Sequence, residues 1–517
     1  MLLGIDLGGT KIEGVVLKSK ENPNEIIRHR INTDELKFKR VNKEPVRKLK
    51  YNVIFTQGET EIKCDSANFY NRRNTLEAFG KIIITNSDSS VIVAEKLIYD
   101  GENKTAKLRD NVIYKKDKEQ IKTNNLDYFI DMKKGVFFND GELNDEINTL
   151  SSRNGIFYGD KDLSIFYDDV KLIGENYILE SDSMTYNSIS KEAITFGFTK
   201  IKSEDSIIIE SDGGLFKQET NYSKLNSSKI ETEQYILEGD IINFDDENSI
   251  YYASKNVKLK IKESDYYVYG DEGIYTKENN TSKVFGNTLL KKIIENDTFY
   301  LSSDTILAIE KENKIQNLFA YNNVKFYKNN FIGKSDSILF NINDSLIKMY
   351  NDPIIWNQNN QITSDTISFK LVSNKVEQMS LSKNSFIISK DSLGNFNQIK
   401  GRNMLATFSD ENYLKTIIVN GNGETIYFGL NEESNSILGL NYIVCSDLKL
   451  NFENNEINNI IFYKNPIAKM IPPHEIKEKD LYIKSFEWRE EEKPKISDVV
   501  YYFRKKIYLR NDSKIKN

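Results

Sequence analysis

The sequence predicts an all-β fold, an elongated stack of short antiparallel or solenoidal strands, on three observations. A unit of about 30 residues recurs along most of the 517-residue chain, and units of that length bury their faces by stacking on one another. Inside the units apolar residues alternate with polar ones, the period of a half-buried strand. The composition agrees: aromatics make up 11% of the chain, and only seven Pro are present to interrupt ladders.

Each unit opens on Asp, Asn or Glu. The openers are Asp65, Glu95, Asn125, Asn154, Asp182, Asp212, Asp240, Asp271, Asp304, Asp336, Asp365, Asn403 and Asp447. Ten of them have Phe or Tyr four positions on: Phe69, Tyr99, Phe129, Tyr158, Tyr186, Phe216, Phe244, Tyr275, Phe340 and Phe369. These ten, with the apolar residues two positions before them, are the candidate interior. Either they form a dry core or some of them line an open trough that takes a lipid.

The unit Ser335-Asp336-Ser337-Ile338-Leu339-Phe340 shows the rhythm, with Ile338 and Phe340 on one face. A polar turn over 341–345 leads to a second strand, Leu346-Ile347-Lys348-Met349-Tyr350. Asp100-Gly101-Glu102-Asn103 and Gly159-Asp160-Lys161-Asp162 make the same kind of turn. Pairs such as Asp110-Asn111, Asp140-Gly141, Asp168-Asp169 and Asn322-Asn323 close second strands, because those residues tolerate the left-handed backbone of tight turns. The opener oxygens suit bonds to turn amides. A calcium ladder would need acids far closer together than one per unit, and several openers are Asn.

Other classes are set aside by what the chain lacks. A net charge of −6, with Lys and Arg spread evenly, offers no footprint for nucleic acid. His29 and His474 both lie outside the main repeat run, so histidine-based catalysis has no home there and an enzyme is not expected. Cys64 and Cys445 read as two small buried apolar groups; no metal site or cofactor is predicted. No stretch approaches the roughly 20 apolar residues of a spanning helix, and Asp6 interrupts what would be a signal peptide's apolar run. Ile471-Pro472-Pro473-His474 ends the pattern, and the charged segment 476–517 is expected as a solvated or loosely docked tail.

Residues 1–34 stand apart from the repeats. Gly4-Ile5-Asp6-Leu7-Gly8-Gly9-Thr10-Lys11 and the apolar run after it resemble the first β-hairpin of the ROK sugar kinases, whose loop approaches ATP phosphates. That resemblance would make Asp6, Gly8, Gly9, Thr10 and Lys11 nucleotide-phosphate residues. It covers about one fifteenth of the chain and lacks the His/Cys zinc cluster common in that family, so the segment reads as a fusion remnant.

The array itself, from about 36 to 475, resembles the OstA-like proteins of lipopolysaccharide transport, the β-repeat of the LptA and LptD N-terminal type. The resemblance is carried by Ile62-Lys63-Cys64-Asp65-Ser66-Ala67, Leu108-Arg109-Asp110-Asn111-Val112, Tyr350-Asn351-Asp352-Pro353-Ile354-Ile355-Trp356 and Phe396-Asn397-Gln398-Ile399-Lys400-Gly401. It implies a twisted β-jelly-roll in the periplasm, associated with the outer membrane, whose apolar trough carries lipid A acyl chains. It further implies end-to-end strand pairing with other Lpt-type jelly-rolls. Three segments follow: 1–34, the array 35–475, and the tail 476–517. The function expected is non-enzymatic binding and relay of lipopolysaccharide; the rivals are a ROK-type kinase and a purely structural β-solenoid.

Overall fold

The computed structural model describes residues 11–17, 26–41 and 44–500, apart from 205, 234, 246, 263–265, 295–296, 312–313, 330, 374, 410, 412, 432–435 and 454–455. Asp6, Gly8, Gly9 and Thr10 lie outside the described residues. Lys11 opens the strand Lys11–Leu17, which pairs antiparallel with Ile26–Asn32. The chain is all-β, a long series of consecutive antiparallel strands.

The strands run longer than the sequence rhythm suggests, because the left-handed pairs do not end them. Thr105–Lys116 is one strand that passes straight through Asp110 and Asn111, at φ 65° and 51°. Opposite it, Arg109 faces Asn125 and Val112 faces Thr123, so two residues oppose one. The pairs expected as strand-closing turns are therefore mid-strand β-bulges. Asn139/Asp140, Asp168/Asp169 and Asn322/Asn323 repeat the device. The left-handed backbone was foreseen; its use to bend a strand rather than end it was not.

The openers sit on the strands facing these bulges and hold them. Asp240, Asp271, Asp304, Asp336 and Asp365 each accept a side-chain amide bond, from Asn256, Asn287, Asn323, Asn351 and Asn384, at 2.6, 2.7, 3.1, 3.3 and 3.0 Å. Asp182 accepts the Phe198 N–H at 2.9 Å, and Asp447 the Gly421 N–H at 2.9 Å. A serine just before an opener satisfies a carbonyl freed by the bend: Ser303 donates to the Thr305 carbonyl at 3.0 Å and Ser335 to that of Ser337 at 3.0 Å. Gly197, at φ +75°, has no substitute here, since a Cβ would lie 2.3 Å from the Asp182 carboxylate.

The backbone divides into two compact units, residues 1–233 with 241–248 and residues 234–240 with 249–517. Within each, the bulge splits a strand into two halves, and the turns alternate between two edges of the folded sheet. In unit 1 the core runs unbroken from Ile31 to Ile201 between the halves. In unit 2 one core runs from Val268 to Leu450, and a second forms on the opposite face of the sheet around Phe386, Phe428 and Leu440. The turns of one edge hang on each other: Gly101 N–H donates to the Asn74 carbonyl, Ile130 to Lys104, Gly159 to Lys133 and Ser188 to Asp162, at 2.9–3.1 Å. Cys64 and Cys445 are buried, unbonded thiols in the two main cores, and burial pushes the Cys64 thiol up to about 12.

The segment beyond Ile471 is not a loose tail where it is described. Two buried glutamines take hold of its backbone. Gln398 donates to the Leu481 carbonyl at 2.8 Å and accepts the Ile483 N–H at 2.9 Å. Gln361 donates to the Glu487 carbonyl at 2.7 Å and accepts the Arg489 N–H at 2.7 Å. Ile483, Phe486 and Trp488 fill the second core, and Arg489 forks onto Asp352 at 2.7 Å. The segment is a strap, and charge counting missed it because the anchoring apolar residues are few and widely spaced.

Candidate functional site

In each unit the interior between the half-sheets receives most of the predicted residues, and the bulge decides which of them reach it. On a strand that faces a bulge, inward positions skip two residues: Cys64 and Ala67 point in, as do Ser181 and Met184. An opener that is the first of the skipped pair has an inward residue four positions on. An opener that is the second has an outward one.

Phe69, Tyr99, Tyr186 and Phe369 accordingly lie buried inside, and Phe216 packs partly buried against the first core. Phe244, Tyr275 and Phe340 share the inner face and are half-buried. Phe129 and Tyr158 follow second-of-pair openers, Asn125 and Asn154, and lie on the outer face with the Lys134 ammonium 6.0 and 5.8 Å from their rings. Their inward places are taken by Tyr128 and Phe157. Lys11, the last of the N-terminal residues singled out, opens the strand Lys11–Leu17.

The two units differ at the mouth, the side opposite the bulge row where the two edges of turns approach. In unit 1 polar groups bridge it rung after rung. Gln57 donates to the Gly101 carbonyl at 3.0 Å and accepts the Tyr99 hydroxyl at 3.0 Å. Asp88 pairs with Lys133 at 3.4 Å, and Lys116 donates to the Gly159 carbonyl. Asp145 accepts Lys191 at 2.7 Å and the Tyr186 hydroxyl, while Asn148 donates to Gln218 at 2.8 Å. The turn glycines permit the approach: a Cβ on Gly159 would stand 2.6 Å from the Tyr114 hydroxyl. Burial by itself would raise the Asp145 carboxyl; bonds from Lys191, Tyr186 and the Asn148 N–H outweigh it and hold the group below its usual range. Rings meet behind these bridges, Phe55 with Tyr99 at 6.0 Å and Tyr114 with Phe157 at 4.6 Å.

In unit 2 the described strand residues near the turns include half-buried apolar side chains on both edges. Tyr266, Phe299, Phe331 and Ile362 lie along one edge. Leu318, Ile347, Phe408, Leu414 and Phe452 lie along the other. Behind them the fully buried layer has Met349, Met379 and Met404 among its members, side chains that adapt readily to their neighbours. Phe331 meets Phe369 edge to face at 5.8 Å, a ring contact made from the rim across to the other half. Among the described residues this rim is apolar along both edges. Sequence reading missed this rim because its residues abut turns, away from the openers. A large apolar residue directly beside a turn, as in Asn330-Phe331 and Phe408-Ser409, was the available signal.

Among the described residues no helix is long and apolar enough to cross a membrane. The exposed faces include Ile467 and Met470 on the strand Ile467–Ile471. That strand and Glu456–Tyr463 both pair, among the described residues, with Ser436–Glu453 alone.

Residues 26–182 match the OstA-like protein family. Residues 292–375 match the LptA/(LptD N-terminal domain) LPS transport protein family. Comparison with curated proteins gives no match. Among solved structures, one similar chain is LptH of Pseudomonas aeruginosa, described as the LptA-homologous periplasmic component of the lipopolysaccharide transport device. It is 11% identical, with 23% of this chain and 82% of that chain covered at a TM-score of 0.20.

Proposed function

We propose that this chain, an OstA-like protein carrying a lipopolysaccharide-transport segment over residues 292–375, holds lipopolysaccharide by its acyl chains in the interior of unit 2 and relays it unchanged. The observation that supports this is the apolar rim on both edges of the unit 2 mouth, from Phe331 to Phe452, above a methionine-rich floor. Each acyl methylene taken out of water there contributes about 0.8 kcal/mol. The place proposed for this work is the periplasm, on the path to the outer membrane.

The partners follow from the open strands. Glu456–Tyr463 and Ile467–Ile471 present backbone donors and acceptors on their far sides, and end-to-end pairing with a second β-jelly-roll of the same kind would satisfy them. The reading as a dry structural solenoid is favoured by one observation in unit 1, its bridged mouth.

The test is equilibrium binding of purified chain to lipopolysaccharide and to the same molecule with its acyl chains removed. Saturable binding of the acylated form alone is the expected outcome. Equal binding of both, or of neither, refutes acyl recognition.

A further inference from the structure

We infer that unit 1 is latched shut against acyl chains and that loading is confined to unit 2; the inference rests on the lipid-carrier reading above. The latch is the row of polar bonds across the unit 1 mouth, and its principal element is the cluster around Asp145. The Asp145 carboxylate, 1% exposed, accepts bonds from Lys191 and the Tyr186 hydroxyl, groups from the opposite edge. The Asn148 N–H ties the same carboxylate to its own turn at 2.8 Å, while the Asn148 amide reaches Tyr186 at 3.0 Å and Gln218 at 2.8 Å.

Such a cluster closes the mouth specifically. An acyl chain entering between the edges would strip a buried carboxylate and a buried amide of their partners and supply none in return. Among the described residues the rim of unit 2 carries the opposite chemistry, where a chain would meet Phe299, Phe331 and Phe408. The interior behind the latch is filled as well: Tyr128 and Phe157 are buried against Tyr114 of the opposite edge, and the buried Tyr186 hydroxyl meets Asn148 across the mouth. Unit 1 is thus the lipid-free part of the molecule, and the OstA-like match over 26–182 falls within it.

The experiment places a photoreactive benzoylphenylalanine at Phe157 in one full-length chain and at Phe331 in another, and irradiates each with lipopolysaccharide. The expected result is an adduct at Phe331 and roughly tenfold less at Phe157. Asp145→Ala removes at least two bonds across the mouth and is expected to raise the Phe157 yield on the order of tenfold. Equal yields at the two positions without Asp145→Ala overturn the latch and leave lipid carriage standing. Absence of adducts at both positions overturns lipid carriage itself. Folding of unit 1 is read from Cys64, which stays inert to iodoacetamide while its core is intact. If Asp145→Ala exposes Cys64, Tyr186→Phe, which deletes only a hydroxyl, takes its place. A folded latch variant with no rise at Phe157 overturns the inference.

Discussion

Replacing Phe408 by Glu puts a charge on the rim of the proposed trough without burying it. Phe408 ends its strand, faces inward opposite Leu414, and is only half-buried, so a carboxylate there can turn to water. The ring's loss costs the fold on the order of 1 kcal/mol, about half of full burial. The hydrated carboxylate keeps two or three methylenes of a passing acyl chain wet, at about 0.8 kcal/mol each. Lipopolysaccharide affinity should therefore fall by about 2 kcal/mol, close to thirtyfold. The control is Phe129→Glu, on the outer face of unit 1, where no change is expected. Fluorescence titration with an acyl-labelled lipopolysaccharide reads both. Unaltered affinity in a folded Phe408→Glu chain, or an equal loss in Phe129→Glu, would refute the assignment of the rim.

Gln398→Ala removes both bonds to the strap and leaves the buried Ile483 N–H without a partner, for a loss of about 2–4 kcal/mol in strap docking; hydrogen exchange over 476–500 should rise while that of unit 1 stays unchanged. Asn323→Ala deletes the amide that holds a bulge to Asp304 and puts Ala on left-handed backbone, and should cost about 1.5–3.5 kcal/mol in urea unfolding, with neighbouring bulges unaffected. The strap should also answer to acid. Arg489, helped by Lys334, pulls the Glu492 carboxyl down to about 2 against a normal value of 4.5. A depressed folded value means the stabilisation is complete above pH 4.5 and is lost as pH falls toward 2, which Trp488 fluorescence should follow. Glu492→Gln should flatten that profile.

The sheet was legible because its signals are local and repeated: alternation marks the faces, and the Asp or Asn openers mark the bulge row. The phase at Phe129 and Tyr158 was not legible. Asn124-Asn125 and Arg153-Asn154 offer no local sign of which residue is first of the skipped pair, and a shift of one residue reverses the face. The choice between sealed and open interiors was hidden for a different reason. The bonds of Gln57 with Tyr99 and of Asn148 with Gln218 join residues 42 and 70 positions apart. Such pairs meet only after the sheet has folded on itself. The strap was missed likewise, since Gln361 and Gln398 reveal their partners 126 and 83 positions later.

The most direct measurement is in-cell photocrosslinking along the inner and outer faces in one series, with the photoreactive residue at Phe331, Phe340 and Phe408 and, for comparison, at Phe129 and Tyr158. Lipopolysaccharide adducts at the first three and none at the last two are predicted. Adducts that ignore the faces, or none at the unit 2 rim in folded protein, would contradict the account.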